Sequence, residues 1–254
     1  MKSDSRKIAN GWVMYDWANS VYNLVITTTI FPAYYVAITG DKDKNTVDYV
    51  HFLGRRFVNS SLYDYTFAVG ILIVAFLSPI LSSIADYKGN KRAFMSFFCI
   101  LGSISCSCLY FFSGMQTLWV AILFSMLACV GFWASLVFYN SYLLEIAPLH
   151  QRDTLSARGF TMGYIGSVLM QLICFVFVFK PDWFGMQLDD TLPPRVSFLL
   201  VGIWWLGFAQ FTLRRLPRGT PADYRPQFNI FTNGFIELKK VWHEISHQPL
   251  LKRY

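Results

Sequence analysis

The sequence predicts an all-α, multi-pass membrane bundle of six transmembrane helices. Two observations carry that reading. Of the 254 residues, 54% are hydrophobic and only 15% are charged, a balance far from that of a soluble domain. The apolar residues are also gathered into six runs, each long enough to cross a bilayer as a helix of about 20 residues.

The first run, Trp12 to Thr39, reads WVMYDWANSVYNLVITTTIFPAYYVAIT. Its polar residues Asp16, Asn19, Ser20, Asn23 and Thr27 fall within an arc of roughly 100° on a helical wheel. A carboxylate in hydrocarbon costs at least about 2.5 kcal/mol, so such a stripe faces a bundle interior or a wet cavity. Counted from Gly11, Asp16 lies about 8 Å and Asn23 about 18 Å along the helix. The run is too long and too polar for a cleavable signal peptide, and Pro32 is expected to kink its outer end.

The other five runs are 65–84, 93–113, 118–139, 160–179 and 196–213. With the N-terminus in the cytoplasm, 16 of the 22 Lys and Arg residues fall inside, leaving Lys42, Lys44, Arg55, Arg56, Lys180 and Arg195 outside. That asymmetry predicts both termini in the cytoplasm. The net charge of +7 is therefore read as membrane topology, and no nucleic-acid partner is expected. The outer loop from Gly40 to Asp64 has mixed charge, and its Asn-x-Ser sequon at Asn59 is expected to occur by chance.

Residues 1–213 form the six-span unit and 214–254 a cytoplasmic linker. Within that linker Phe228, Phe231, Phe235, Leu238, Trp242 and Ile245 recur every three or four residues, an amphipathic helix suited to the headgroup region or the inner face of the bundle. Small residues at Gly159, Gly163 and Ser167, and at Gly102 and Cys106, mark faces where helices approach closely.

Enzyme chemistry lacks its parts. The four histidines (His51, His150, His243, His247) all lie outside the runs, and the five cysteines lie within them as small buried hydrophobes. No cofactor and no metal are expected. Polar groups within a bundle remain, which is how a transporter or a channel is built. Asn19, Asn23, Thr27 and Gln171 are the candidate solute ligands. Asp16, Tyr139, Asn140 and Glu145 are candidates for ion coupling or for an inner gate. A six-span channel or self-assembling scaffold, without coupled transport, is the alternative.

The loop after the second run contains Asp86, Gly89, Lys91 and Arg92 with the spacing D-x-x-G-x-K-R. It resembles the loop signature of the major facilitator superfamily, in which the Asp caps and charge-locks inner helix ends. Ser82, Tyr87 and Asn90 depart from the general pattern and point away from sugar porters and drug antiporters. YDWANSVYN (15–23), FPAYY (31–35), ADYKGNKR, FYNSYLLEIAP (138–148), SARGFTMGYIGS (156–167) and Trp204–Trp205 together resemble the vacuole-effluxer-like branch, named for an autophagy-related amino-acid exporter. The resemblance implies the N-terminal half of a twelve-helix fold, built as a 3+3 inverted repeat. Its partners would be the lipid bilayer, a small solute, and a second six-span half or another copy. It further implies secondary transport of a small polar solute such as an amino acid, by efflux or proton coupling. The expected location is the cell (inner) membrane, or a vacuolar membrane in a eukaryote.

Overall fold

The computed structural model describes residues 3–40, 48–186, 189–219 and 239. The amphipathic stretch expected in the linker lies outside the described residues. Among the described residues six helices are long and apolar enough to be spans: Ser5–Thr39, Asn59–Ala85, Lys91–Phe111, Met115–Ile146, Leu149–Phe179 and Leu192–Arg215. The first comprises α1 (Ser3–Tyr22), a π-helical segment (Asn23–Thr29) and α2 (Ile30–Thr39). The others are built on α3 (Asn59–Lys88), α4 (Lys91–Cys108), α5 (Leu118–Ile146), α6 (Leu149–Phe179) and α7 (Leu192–Arg215).

The irregularity in the first span lies just N-terminal to Pro32. Proline has no N–H to offer the carbonyl four residues back, and the helix widens before it. The carbonyls of Asn23 and Leu24 accept the hydroxyls of Thr28 and Thr29 at 2.6 and 2.7 Å. Two consecutive threonines thus supply donors that let a wide turn persist in a membrane. Pro79 inside α3 is accommodated similarly, with Ser78 Oγ 3.4 Å from Ala75 O.

Packing follows a pattern with an internal symmetry. α1 packs on α6 and α7, α5 packs on α3 and α4, and α4 packs on α7. Shifting every span by three exchanges the first with the fourth, the second with the fifth and the third with the sixth. The set of packed pairs is unchanged by that exchange. Because three spans is an odd number, the matching helices run in opposite directions, which is the 3+3 inverted repeat.

Small residues set the closest approaches. A Cβ on Gly102 would overlap the Trp205 ring, and one on Gly131 would overlap the Gly102 backbone and lie 2.7 Å from Phe98 O. The glycine–cysteine face of α4 therefore receives a fully buried tryptophan from α7, with aromatic side chains filling the space around it. All five cysteines are free, and four are buried.

Several boundaries differ from those expected. α6 begins at Leu149 rather than near residue 160, because its first three turns carry charge yet still pack on α1. The loop between the first two spans contains an antiparallel hairpin, β1 (Tyr49–Phe52) and β2 (Arg55–Val58), closed by Leu53 and Gly54 with φ of 49° and 74°. Two positive φ values in a two-residue turn match the twist of the flanking strands. Asn59 is buried, and its side-chain amide meets Thr39 Oγ1 at 2.9 Å. It thus joins the end of the first span to the start of the second.

Between the second and third spans, Gly89 has φ of 65° and the Asn90 N–H donates to Ala85 O at 3.0 Å. This is a left-handed helix stop that glycine adopts without penalty.

Candidate functional site

α1, α5 and α6 enclose a cavity of about 460 Å³. Its polar lining from the first span is Asp16, Asn19, Ser20, Asn23 and Thr28; α5 adds Tyr139 and Asn140, and α6 adds Ser156, Tyr164 and Ser167. Trp12, Phe132, Trp133 and Phe160 form apolar walls.

Asp16 lies at one end, 9% exposed, and its Oδ2 accepts the Tyr139 hydroxyl at 2.7 Å. The Tyr139 ring stacks on Trp12 with centroids 4.3 Å apart, and Trp12 Nε1 donates to Tyr139 O at 2.9 Å. Two helices are therefore clasped by a stack and two hydrogen bonds around one carboxylate. α6 comes close enough to cover it because Gly159 and Gly163 lack side chains. A Cβ at these positions would lie 2.5 Å from Asp16 Oδ2 and 2.6 Å from Ser20 Oγ. The small-residue face of α6 thus packs on the polar stripe itself. Arg158 does not pair with Asp16, since its Nη2 donates to Asn10 Oδ1 at 2.9 Å.

Asn19 is 1% exposed, and its Nδ2 has no hydrogen-bond partner. A buried amide donor left unpaired costs roughly 1–3 kcal/mol. An acceptor on a bound solute would recover that energy. Asn23 and Asn140 are exposed on the cavity surface.

The remaining residues singled out by sequence lie elsewhere. The π segment rotates the stripe by one residue, so Thr28 lines the cavity while Thr27 does not; the Thr27 carbonyl accepts the Tyr63 hydroxyl at 2.9 Å. Gln171 meets Thr29 at 2.7 Å, away from the cavity lining. Thr29 has one hydroxyl hydrogen, which its bond to Leu24 O uses. The amide orientation satisfying both groups turns Gln171 Nε2 toward Thr29. Glu145 forms an ion pair with Lys91, joining the turn after α3 to the C-terminal end of α5. Of the turn residues, Gly89 supplies the helix stop, and Arg92 Nη1 lies 3.4 Å from Leu216 O.

Sequence reasoning missed the Trp12–Tyr139 stack and the aromatic walls, whose residues meet only after folding. It also missed Thr28, for which the run of threonines just before Pro32 was the available signal.

A six-helix inverted repeat with a polar pocket between its first, fourth and fifth spans defines a membrane transporter architecture of the major facilitator type. The sequence profile of the family described as "Vacuole effluxer Atg22 like" matches residues 4–148 and 144–254. The chain belongs to that family, whose members are transporters rather than enzymes. It is 33% identical to the MFS-type transporter YxiO of Bacillus subtilis over 96% of this chain and 54% of that protein. It is 24% identical to autophagy-related protein 22-2 of Aspergillus oryzae, over 80% of this chain and 42% of that protein. Identity to autophagy-related protein 22-1 of Aspergillus clavatus is 26%, over 68% and 39% respectively. The chain thus spans about half the length of the curated relatives it matches. No solved structure matches it.

Proposed function

We propose that the chain forms one half of a secondary transporter for a small polar solute, and that the cavity between α1, α5 and α6 is its share of the binding site. The observation that carries this reading is the pairing of a buried carboxylate, Asp16, with an unpartnered amide donor, Asn19, on one wall of the cavity. An amino acid suits that pair, because it presents an acceptor carboxylate to amide N–H groups and leaves Asp16 for a cation or proton. Asn23, Asn140 and Thr28 supply further hydrogen bonds. Gln171, proposed from sequence as a ligand, acts instead through the π segment by holding Thr29.

Asp16 is the proposed coupling group, and the Trp12–Tyr139 clasp the proposed inner gate. While Asp16 is ionised, its bond to the Tyr139 hydroxyl is charge-assisted and strong; protonation weakens it and loosens α1 from α5. The turn bearing Asp86, Gly89, Lys91 and Arg92, tied to Glu145, would bias the two conformations without touching solute. A second six-span unit completes the path, and both termini lie in the cytoplasm.

The test is uptake of radiolabelled amino acids into proteoliposomes that contain this chain together with its second half. Asp16→Asn abolishes proton-driven accumulation and leaves solute exchange down its gradient largely intact. A mutant that still accumulates solute, with its pH dependence unchanged, removes Asp16 from coupling. Current through the isolated chain without saturation by any solute would favour a channel.

A further inference from the structure

Two depressions near the N-terminal end of α1 share Arg158 and have no lining residue in common with the solute cavity. The first, about 530 Å³, lies between the start of α1 and the α5–α6 connection, and Arg6, Arg158, Gln151, Thr154, Ala9 and Leu155 contribute to its lining. The second, about 410 Å³, runs between α1, α6 and α7, with Val13, Met14, Met162 and Phe211 along it and Asn10, Thr161 and Arg158 at its polar end. No acidic side chain lines either depression among the described residues.

The chemistry changes along this path. Arg158 donates to Asn10 Oδ1 through Nη2. That bond aims the guanidinium without neutralising it and leaves most of its five N–H donors available. Met162 lies one turn further into α6, about 6 Å deeper. A third cation stands nearby, since the Arg215 guanidinium lies 3.2 Å from the Phe211 ring centroid. Its stem passes over Gly11, where a Cβ would be 2.7 Å from Arg215 Cβ. A polar basic hollow thus opens into an apolar groove that points toward the membrane centre.

We propose that this pair of depressions binds one anionic phospholipid, with its phosphate between Arg6 and Arg158 and an acyl chain along Val13, Met14, Met162 and Phe211. Basic pockets between helices at a headgroup surface are suited to such lipids. A free anion would use the hollow alone and gain nothing from the groove, whose continuity with it favours a lipid. The site is separate from the proposed solute cavity and does not depend on that reading.

Native mass spectrometry of the full chain in detergent tests it, with phosphatidylglycerol, phosphatidylcholine and water-soluble glycerophosphoglycerol as probes. Phosphatidylglycerol is retained in preference to phosphatidylcholine. Arg6→Gln and Arg158→Gln each weaken its retention about fivefold, the weight of one arginine at a membrane surface. Arg158→Lys retains most of the binding, which separates lost charge from lost folding. Met14→Trp fills the groove and lowers phosphatidylglycerol binding. Equal retention of phosphatidylcholine, or no effect of either Gln variant, overturns the proposal. Glycerophosphoglycerol binding as tightly as the intact lipid also overturns it, by making the hollow a site for soluble anions.

Discussion

The clasp between Asp16 and Tyr139 can be measured as a coupling free energy. Tyr139→Phe deletes only the hydroxyl, and Asp16→Leu replaces the carboxylate with an apolar group of similar size that cannot accept a hydrogen bond. Interhelical hydrogen bonds between neutral groups in membranes average about 0.6 kcal/mol and reach about 1.7. Bonds to a charged partner contribute roughly 1.5–3 kcal/mol in proteins generally. Tyr139 is 2% exposed and the contact is 2.7 Å, so the upper part of the membrane range applies. A double-mutant cycle on unfolding in mixed detergent micelles should therefore give a coupling above about 1 kcal/mol. Gly159→Ala provides an independent check. Its Cβ would lie 2.5 Å from Asp16 Oδ2 and 3.2 Å from the Tyr139 hydroxyl, so it displaces the carboxylate and the coupling falls toward zero in that background. A coupling below about 0.3 kcal/mol in the wild-type background, the level of independent sites, would refute the clasp. Persistence of the full value in the Gly159→Ala background would refute the α6 geometry.

Other outcomes follow from the packing and the topology. Gly131→Ala places a methyl group 2.7 Å from Phe98 O and lowers stability by about 1–3 kcal/mol. Gly207→Ala on α7, which faces open space, leaves stability unchanged or raises it by up to about 1 kcal/mol, and thermal unfolding of the two variants in one detergent compares them directly. Glu145→Gln changes stability by less than about 1 kcal/mol, because the Lys91–Glu145 pair is partly exposed; a larger drop in a denaturant titration would mean the pair supports the fold itself. Cysteine labelling reaches positions beside Asp48 only from outside and beside Lys91 only from inside, and the reverse pattern would invert the proposed orientation.

The six spans were legible because hydrocarbon imposes a length and a composition that a single sequence displays directly. The stripe of Asp16, Asn19, Ser20 and Asn23 was legible for a similar reason, since α1 is regular through Tyr22. Beyond that point the wheel loses register: the π segment shifts the lining from Thr27 to Thr28. The start of α6 was hidden because hydropathy marks only the part of a helix that meets lipid. Residues 149–159 are largely polar yet helical, tied by Arg152 to the end of α5 and by Arg158 and Gly159 to α1, contacts that no local signal reports. The Trp12–Tyr139 stack joins residues 127 apart, and neither residue alone indicates a clasp.

The inverted repeat also explains why one side of the bundle carries the candidate site. The contact of α1 with α6 and that of α5 with α3 occupy equivalent places in the two repeats. Their chemistry nevertheless differs. Where α6 meets α1, Gly159 and Gly163 approach a carboxylate and a hydroxyl at distances that exclude any Cβ. Where α3 meets α5, Gly70 stands against Cys129, and the nearby gap of about 10 Å³ is bordered mainly by apolar groups such as Val74, Leu77, Val130 and Ala134. A gap so small, with Ser78 the one polar side chain on its lining, lacks the two to four partners that hold a water. The equivalent contacts therefore have different uses: the apolar one holds the bundle together, and the glycine-lined one keeps a carboxylate and two amides at the edge of a cavity. Symmetric packing fixes where two helices cross, and the side chains at the crossing decide whether that place can bind anything.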